Sequence, residues 1–349
     1  MINNAIHHIL IRGTNWIGDS VMSLAALREL RRQFPDHHLA LFVKPPIANL
    51  FQGQDVVDEI ITLKDKQTIL KRLFRFPNRI RHFDTAILFQ NHLEAALVPW
   101  LAGIPERIGY SLHGRHFLLT NRAYPRIKKR HQHQVYYYLD LLHQAGLSSN
   151  DYLNDPHFEP DISLRPTAES LDHAQHLLNQ FNLSTSKPLI AISPGAAYGP
   201  VKRWFPERYA ELADQLIEKK KAQVVFIGSP NEILLAQKIE NLMRQSPAIL
   251  TGLTTLNTLL GLFSHCDLLI TNDSGPMHLA AALNIPQIAL FGSTDKVATG
   301  PLSPQAEVIH KDVECSPCLL RKCPIDLRCF SYIEVDEVYE AVITKLDSN

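Results

Sequence analysis

The feature that most restricts how this chain can fold is a unit that recurs along it. Each unit is a short, almost wholly apolar run, then a turn of glycine and small polar residues, then a helix with one apolar face. In "HHILIRGTNWIGDSVMSLAALRELRRQF" the strand is Ile9 to Ile11 and the turn contains Gly13 and Gly18. Val21, Leu24, Ala25, Leu27 and Leu30 then recur at helical spacing. Further strands are expected at "HLALFVK" (38–44), "VVDEIITL" (56–63) and "FDTAILF" (83–89), with helical stretches between them. This alternation is the βαβ pattern of a parallel sheet.

After a proline-rich stretch near 156–166 the pattern starts again. "PLIAISPG" (188–195) and "AQVVFIGS" (222–229) read as strands, each followed by an amphipathic helix, "PERYAELADQLIEKK" and "NEILLAQKIENLMRQ". "CDLLITND" and "PQIALFGS" complete the series. The expectation is an α/β protein of two Rossmann-like domains, 1–165 and 166–330, followed by a helix over roughly 335–346 within 331–349. Neither half carries GxGxxG, which disfavours a dinucleotide dehydrogenase.

A length of 349 residues fits two domains, and 45% hydrophobic with 20% charged residues is the balance of a soluble globular chain. No apolar run reaches the ~18 residues of a membrane span, and "MINNAIHHILIRG" does not read as a signal peptide. The expected location is the cytoplasm. The net charge of zero conceals a division. Residues 1–165 carry 20 Lys+Arg against 15 Asp+Glu, and residues 166–349 carry 15 against 20. Basic residues cluster in the first half at Lys71, Arg72, Arg75, Arg79 and Arg81, and again at Arg122, Arg126, Lys128, Lys129 and Arg130. They suit either a solvated face or an anionic partner, phosphorylated or at a membrane surface. Nucleic acid is disfavoured, because no recognition motif accompanies the charge.

Three turns lie where parallel sheets bind ligands, at the carboxyl ends of strands. In the first, Asp19 follows Gly18 at the start of a helix, as a favourable helix-end charge or as a general base facing the site. In the second, "SPGAAYGPVKRW" (193–204), Pro194 and Gly195 end a strand and Lys202 and Arg203 bring positive charge. The third is "ITNDSGPMHLAAALNIPQIALFGSTD" (270–295). There Ser274 and Gly275 would cap a helix whose first position is Pro276. That leaves first-turn N–H groups for an anion, with His278 as a further donor. Asp273 should repel a phosphate, so it is expected to hold the turn through backbone N–H groups or to accept from a sugar hydroxyl. With Lys202, these residues form a cradle for a nucleotide's diphosphate.

Four of the five cysteines, Cys315, Cys318, Cys323 and Cys329, stand at C-x2-C-x4-C-x5-C. That spacing suits a structural zinc or an iron–sulfur site, and equally a loop of packed thiols. Cys266 is expected in the core.

Taken together, "NWIGDSVMSLAALRELRRQFP", "ALVPWLAGIPERIGY", "PGAAYGPVKRWFPERYAELA", "TNDSGPMHLAAALNIPQIALFG" and the cysteine-rich tail resemble the ADP-heptose:lipopolysaccharide heptosyltransferases of glycosyltransferase family 9. Within that family the likeness is strongest to the heptosyltransferase II branch. The resemblance implies a GT-B fold, two Rossmann-like domains facing a cleft, with the C-terminal helix returning to the first domain. It implies an inverting transfer of L-glycero-D-manno-heptose from ADP-heptose to the first heptose of the lipopolysaccharide inner core. By this likeness Asp19 is the general base. Pro194, Gly195, Lys202, Asp273, Ser274, Gly275 and His278 bind the donor, Glu232 meets its ribose and "GLTTL" (252–256) borders its adenine. No cofactor and no catalytic Mg²⁺ are required, the cysteines are not catalytic, and the site of action is the inner face of the inner membrane. Two other readings stay open on the residues alone. A GT-B transferase with another nucleotide sugar or acceptor would differ in donor preference, and a non-catalytic nucleotide-binding protein would lack turnover.

Overall fold

The computed structural model describes residues 7–62, 76–127, 132–184 and 186–348. The basic residues Lys71, Arg72, Arg75, Lys128, Lys129 and Arg130 lie outside them, as does Leu63 at the end of one expected strand. The chain forms two compact units, Met1–Ile162 and Ser163–Asn349.

Each unit is built on a six-stranded sheet in which every neighbouring pair is parallel. The first contains β1 (His8–Arg12), β2 (His38–Val43), β3 (Glu59–Thr62), β4 (Thr85–Leu88), β5 (Glu106–Tyr110) and β6 (Asn121–Ala123), in the order β3-β2-β1-β4-β5-β6. The second contains β7 (Leu189–Ser193), β8 (Gln223–Phe226), β9 (Ala248–Ile249), β10 (Leu268–Asn272), β11 (Gln287–Phe291) and β12 (Ala306–His310), in the order β12-β11-β10-β7-β8-β9. Numbered within its own unit, each sheet reads 3-2-1-4-5-6, the doubly wound order. The direction of winding reverses between β1 and β4, and again between β7 and β10. Connections leave those two strands toward opposite sides, so a crevice opens at their carboxyl ends.

The central strands are apolar on both faces because helices cover both. Leu10, Ala86 and Leu88 are fully buried in one sheet, and Ile190, Ile270 and Ile288 in the other. Strands β5, β6, β9 and β12 are additional to those expected. Two expected elements are shorter than their apolar patterns. The run 56–63 pairs only over Glu59–Thr62, because the Asp58 carboxylate accepts from Leu39 N–H (2.8 Å) and from Arg31 (2.5 Å). The helix after β8 opens with a Pro230–Glu232 turn and runs over Ile233–Glu240. Beyond it, the Asp214 carboxylate accepts from the N–H groups of Arg244 and Gln245.

The C-terminal helix, Val335–Asp347, packs against the Pro206–Lys220 helix and against β10 and β11 of the second unit. The cause is its apolar face. Val335, Val338 and Val342 are buried in the cluster that holds Trp204, Tyr209 and Phe330. The indole N–H of Trp204 donates to the carbonyl of Ile333 (3.1 Å) and fixes the chain just before the helix. Among the described residues no helix is long and apolar enough to cross a membrane.

The helices Ala168–Gln180 and Leu256–Phe263 cross closely, with Gly261 against the main chain of Ser170. A Cβ on Gly261 would lie 2.0 Å from the Ser170 carbonyl oxygen. A backbone atom cannot rotate away as a side chain can. Gly261→Ala should therefore cost about 1–3 kcal/mol of stability, measured by denaturant unfolding. An unchanged midpoint would show that this crossing is looser than described.

Candidate active site

Both reversals of winding carry the turns singled out from sequence. In the first unit the chain leaves β1 through Thr14–Trp16 into the helix Ile17–Met22, placing Asp19 in its first turn. Thr14 and Ser20 share a hydrogen bond between buried hydroxyls (2.7 Å) that closes this turn. Phe89, Gln90, Asn91 and His92 leave β4 beside it. The two segments line a cavity of about 340 Å³ that also receives His113, Tyr137 and Tyr138. The Tyr138 hydroxyl donates to Asp19 Oδ1 (3.2 Å). Burial, and then the neighbouring Asp19 charge, push the Tyr138 phenol well above its ordinary range, so at neutral pH it stays a hydrogen-bond donor. The cavity thus contains a carboxylate aimed by a neutral phenol, a group able to accept a proton from a bound hydroxyl.

In the second unit the turn after β7 and the turn after β10 are tied together. Asn272, the last residue of β10, donates from Nδ2 to the carbonyls of Pro194 (2.9 Å) and Gly195 (3.3 Å). Its Oδ1 accepts from Trp204 N–H (3.2 Å) and the Tyr209 hydroxyl (2.9 Å). Lys202 Nζ donates to Asp273 Oδ2 at 2.6 Å, and the pair is largely buried. Of the two roles expected for Asp273, holding its turn through backbone N–H groups is not the one seen. No backbone N–H among its described partners holds it; it accepts from Lys202 and, weakly, from Thr299 Oγ1 (3.4 Å). Lys202 also lies over the Tyr198 ring (5.2 Å), with Arg321 against the same ring (5.3 Å).

The helix Gly275–Ala282 has Ser274 as its N-cap, which puts Pro276 at the second helical position and not the first. Ser274 makes no side-chain cap; its hydroxyl pairs with that of Thr271 (3.2 Å). The N–H groups that begin this helix are thereby left without a side-chain acceptor from the cap residue, the arrangement in which anions bind. His278, one turn in, is buried at 4% exposure.

Glu232 packs directly over Gly195, where a Cβ would fall 1.8 Å from Glu232 Oε1. Only glycine allows that approach. The other carboxylate oxygen accepts from the Ser229 N–H (2.7 Å) and hydroxyl (2.8 Å), closing a capping box. Gly252, in the left-handed region at φ +83°, lies against Ile233 and begins the 252–256 loop beside the same turn. The structure therefore brings Pro194, Gly195, Lys202, Glu232, Asp273, Ser274, Gly275 and His278 to the carboxyl end of one sheet, and Asp19 to that of the other.

The five cysteines are free, with Cys266 buried as expected. Its thiol, raised by burial, donates to the carbonyl of Leu262 (3.3 Å). Among the described residues no group of three or more His, Cys, Asp or Glu side chains is arranged to hold a metal ion. The cysteine-rich loop is instead fastened to the rim of the second site. Leu319 N–H donates to the carbonyl of Ser293 (2.9 Å), and the Tyr198 hydroxyl donates to the carbonyl of Leu319 (3.1 Å).

Sequence reasoning passed over Tyr138 and Asn272. Asn272 stood inside a quoted motif but reads as an ordinary strand end. Tyr138 lies in "VYYYLDLL", where helical periodicity gives an apolar face and no sign of a polar partner 119 residues away.

Comparison with known proteins agrees with this geometry. Residues 74–328 match glycosyltransferase family 9 (heptosyltransferase). Lipopolysaccharide heptosyltransferase 2 of Escherichia coli K12 is 34% identical over 320 residues, spanning 86% of this chain and 87% of that one. Lipooligosaccharide heptosyltransferase 2 of Haemophilus influenzae is 31% identical over 314 residues, spanning 87% and 88%. Among solved structures, the E. coli ADP-heptose LPS heptosyltransferase II superposes with a TM-score of 0.82 at 30% identity, covering 98% of this chain and 99% of that one. The GT-B class implied by the sequence stands, and the chain belongs to glycosyltransferase family 9, the heptosyltransferases.

Proposed function

We propose that this chain transfers L-glycero-D-manno-heptose from ADP-heptose to the first heptose of the lipopolysaccharide inner core, inverting the anomeric centre. The observation that carries the reading is the division of labour between the two switch points. One presents a positioned carboxylate; the other presents a lysine and an uncapped helix start. A displacement at an anomeric carbon needs both, a base for the incoming hydroxyl and stabilisation for the departing diphosphate. The names of the relatives, heptosyltransferases acting on lipopolysaccharide or lipooligosaccharide, support the donor and the acceptor class.

In this reading Asp19 takes the proton of the acceptor hydroxyl as its oxygen bonds to the anomeric carbon. The bond from that carbon to the β-phosphate oxygen breaks, and its electron pair leaves with ADP. Lys202, the N–H groups that follow Ser274, and His278 receive the charge that develops there. Asp273 holds Lys202 in place, and the lysine can turn its remaining N–H bonds to phosphate. Pro194 and Gly195 let the donor approach the main chain. Glu232, fixed by Ser229, faces the donor ribose, and the 252–256 loop borders the adenine. The acceptor is lipid-linked, so the enzyme works at the inner face of the inner membrane. The basic excess of the first half suits that anionic surface.

Replacing the base should stop chemistry without disturbing the donor. Asp19→Asn should lower kcat ~10²–10⁴-fold while ADP affinity stays within a few-fold of wild type. Turnover near wild type would reduce Asp19 to a favourable helix-end charge.

The cradle makes a second prediction, for titration calorimetry. ADP should bind more tightly than AMP, and Lys202→Ala and His278→Ala should each weaken ADP by about 1–3 kcal/mol with little effect on AMP. Equal affinities for ADP and AMP in the wild type would mean that the diphosphate lies elsewhere.

A further inference from the structure

The lysine of the second site brings little net charge to it. Lys202 Nζ lies 2.6 Å from Asp273 Oδ2, with the two side chains 16% and 5% exposed, so the two charges largely cancel. The start of the Gly275–Ala282 helix adds the equivalent of roughly +0.5 elementary charge. Arg203, next to Lys202, is turned to the main chain and donates to the carbonyl of Ala196 (3.1 Å). A diphosphate bonded to a sugar carries a negative charge on each phosphate, and the departing nucleotide gains another. The pair and the helix start do not match that charge.

The cysteine-rich loop carries a further cation to the same place. Leu319 is in the left-handed region at φ +57°, a conformation in which a bulky residue is seldom held. Its N–H donates to the carbonyl of Ser293 (2.9 Å), and its own carbonyl accepts from the Tyr198 hydroxyl (3.1 Å), so the bend is fastened on both sides. Two residues on, the Arg321 carbonyl oxygen packs over Gly199, 3.4 Å from where a Cβ would stand. The Arg321 guanidinium lies 5.3 Å from the centre of the Tyr198 ring, and Lys202 Nζ lies 5.2 Å from the same point. One aromatic ring therefore gathers both cations. Arg321 is exposed, and among the described residues no carboxylate is bonded to it. Arg328, in the same loop, is by contrast paired with Asp326 (3.1 Å).

We propose that Arg321 binds the donor's diphosphate and supplies the positive charge that the Lys202–Asp273 pair lacks. The inference rests on the reading that this site receives the diphosphate of ADP-heptose. It gives the cysteine-rich loop a part in donor recognition, as the strap that sets a guanidinium on Tyr198 beside Lys202. The ring face holds the cation in place before the donor arrives. A guanidinium can then offer two parallel N–H groups to phosphate oxygens, which an ammonium cannot. The two cations differ in setting. Lys202 is buried against its carboxylate, whereas Arg321 faces solvent, so its attraction for the diphosphate is the part that salt screens.

The test is titration calorimetry of the full chain with ADP and with AMP, at low and at high ionic strength. Arg321→Ala should weaken ADP about tenfold or more while AMP stays within a few-fold of wild type. Arg321→Lys should recover part of the loss, because it keeps the charge without the paired N–H groups. Raising the salt should weaken ADP in the wild type and much less in Arg321→Ala, a difference that a merely structural role would not produce. Arg328→Ala, which removes a paired arginine from the same loop, should leave ADP affinity unchanged. If the wild type prefers ADP to AMP and Arg321→Ala keeps both that preference and its salt dependence, the role of Arg321 is overturned and the site stands without it. An equal loss for ADP and AMP in Arg321→Ala would also overturn it, since the residue would then support the loop and not the second phosphate. Equal affinities for ADP and AMP in the wild type would overturn the placement of the diphosphate itself, and Arg321 with it.

Discussion

Parallel pairing of β1 with β4, and of β7 with β10, is the constraint from which the rest of this protein follows. A parallel pair cannot be joined by a tight hairpin, so its connections must cross over the sheet faces. Where successive crossovers diverge, two loops are left side by side at the carboxyl ends with no helix covering them. Here that happens once in each unit. Most residues with a proposed chemical role sit on those loops or on the elements that brace them, and Glu232 reaches the same place from the turn after β8. The apolar interior of each unit makes the loops rigid enough to hold single side chains at hydrogen-bonding distance.

The two switch points then differ in electrostatic character. That of the second unit is a buried ion pair at the end of β10. Lys202 and Asp273 are 2.6 Å apart, and such a pair contributes little net stability once desolvation is counted. Its value lies in holding an ammonium group still beside a helix start that lacks a side-chain cap. That of the first unit holds a carboxylate, Asp19, aimed by the Tyr138 phenol. In the proposed function one site receives a diphosphate and the other a hydroxyl-bearing partner, the asymmetry a glycosyl transfer demands.

The alternation of apolar runs and amphipathic helices was enough to read the α/β class and both sheets, because parallel strands buried on two faces leave a plain mark in sequence. The motif residues were legible for a similar reason: Gly195, Pro276 and Lys202 have types suited to backbone approach, helix starts and anions. What could not be read is whatever depends on a distant partner. Asp273 was assigned to its own turn or to a sugar hydroxyl, and only the fold brings Lys202 across 71 positions to it. Tyr138 was missed because a tyrosine on an apolar helix looks ordinary until its neighbour Asp19 is known. Four cysteines at metal-like spacing left two outcomes open, and the contacts of their loop connect it to Tyr198 and the rim of the second site.

The central claim is that one carboxylate acts as base and no side chain forms a covalent intermediate with the sugar. The configuration of the product reports on that most directly. Turnover of ADP-heptose with a lipopolysaccharide acceptor ending in the first inner-core heptose, followed by NMR of the new glycosidic linkage, should show an anomeric configuration opposite to the donor's. A product that retains the donor's configuration would contradict the account, since it would require a second displacement that the residues described around Asp19 do not provide for.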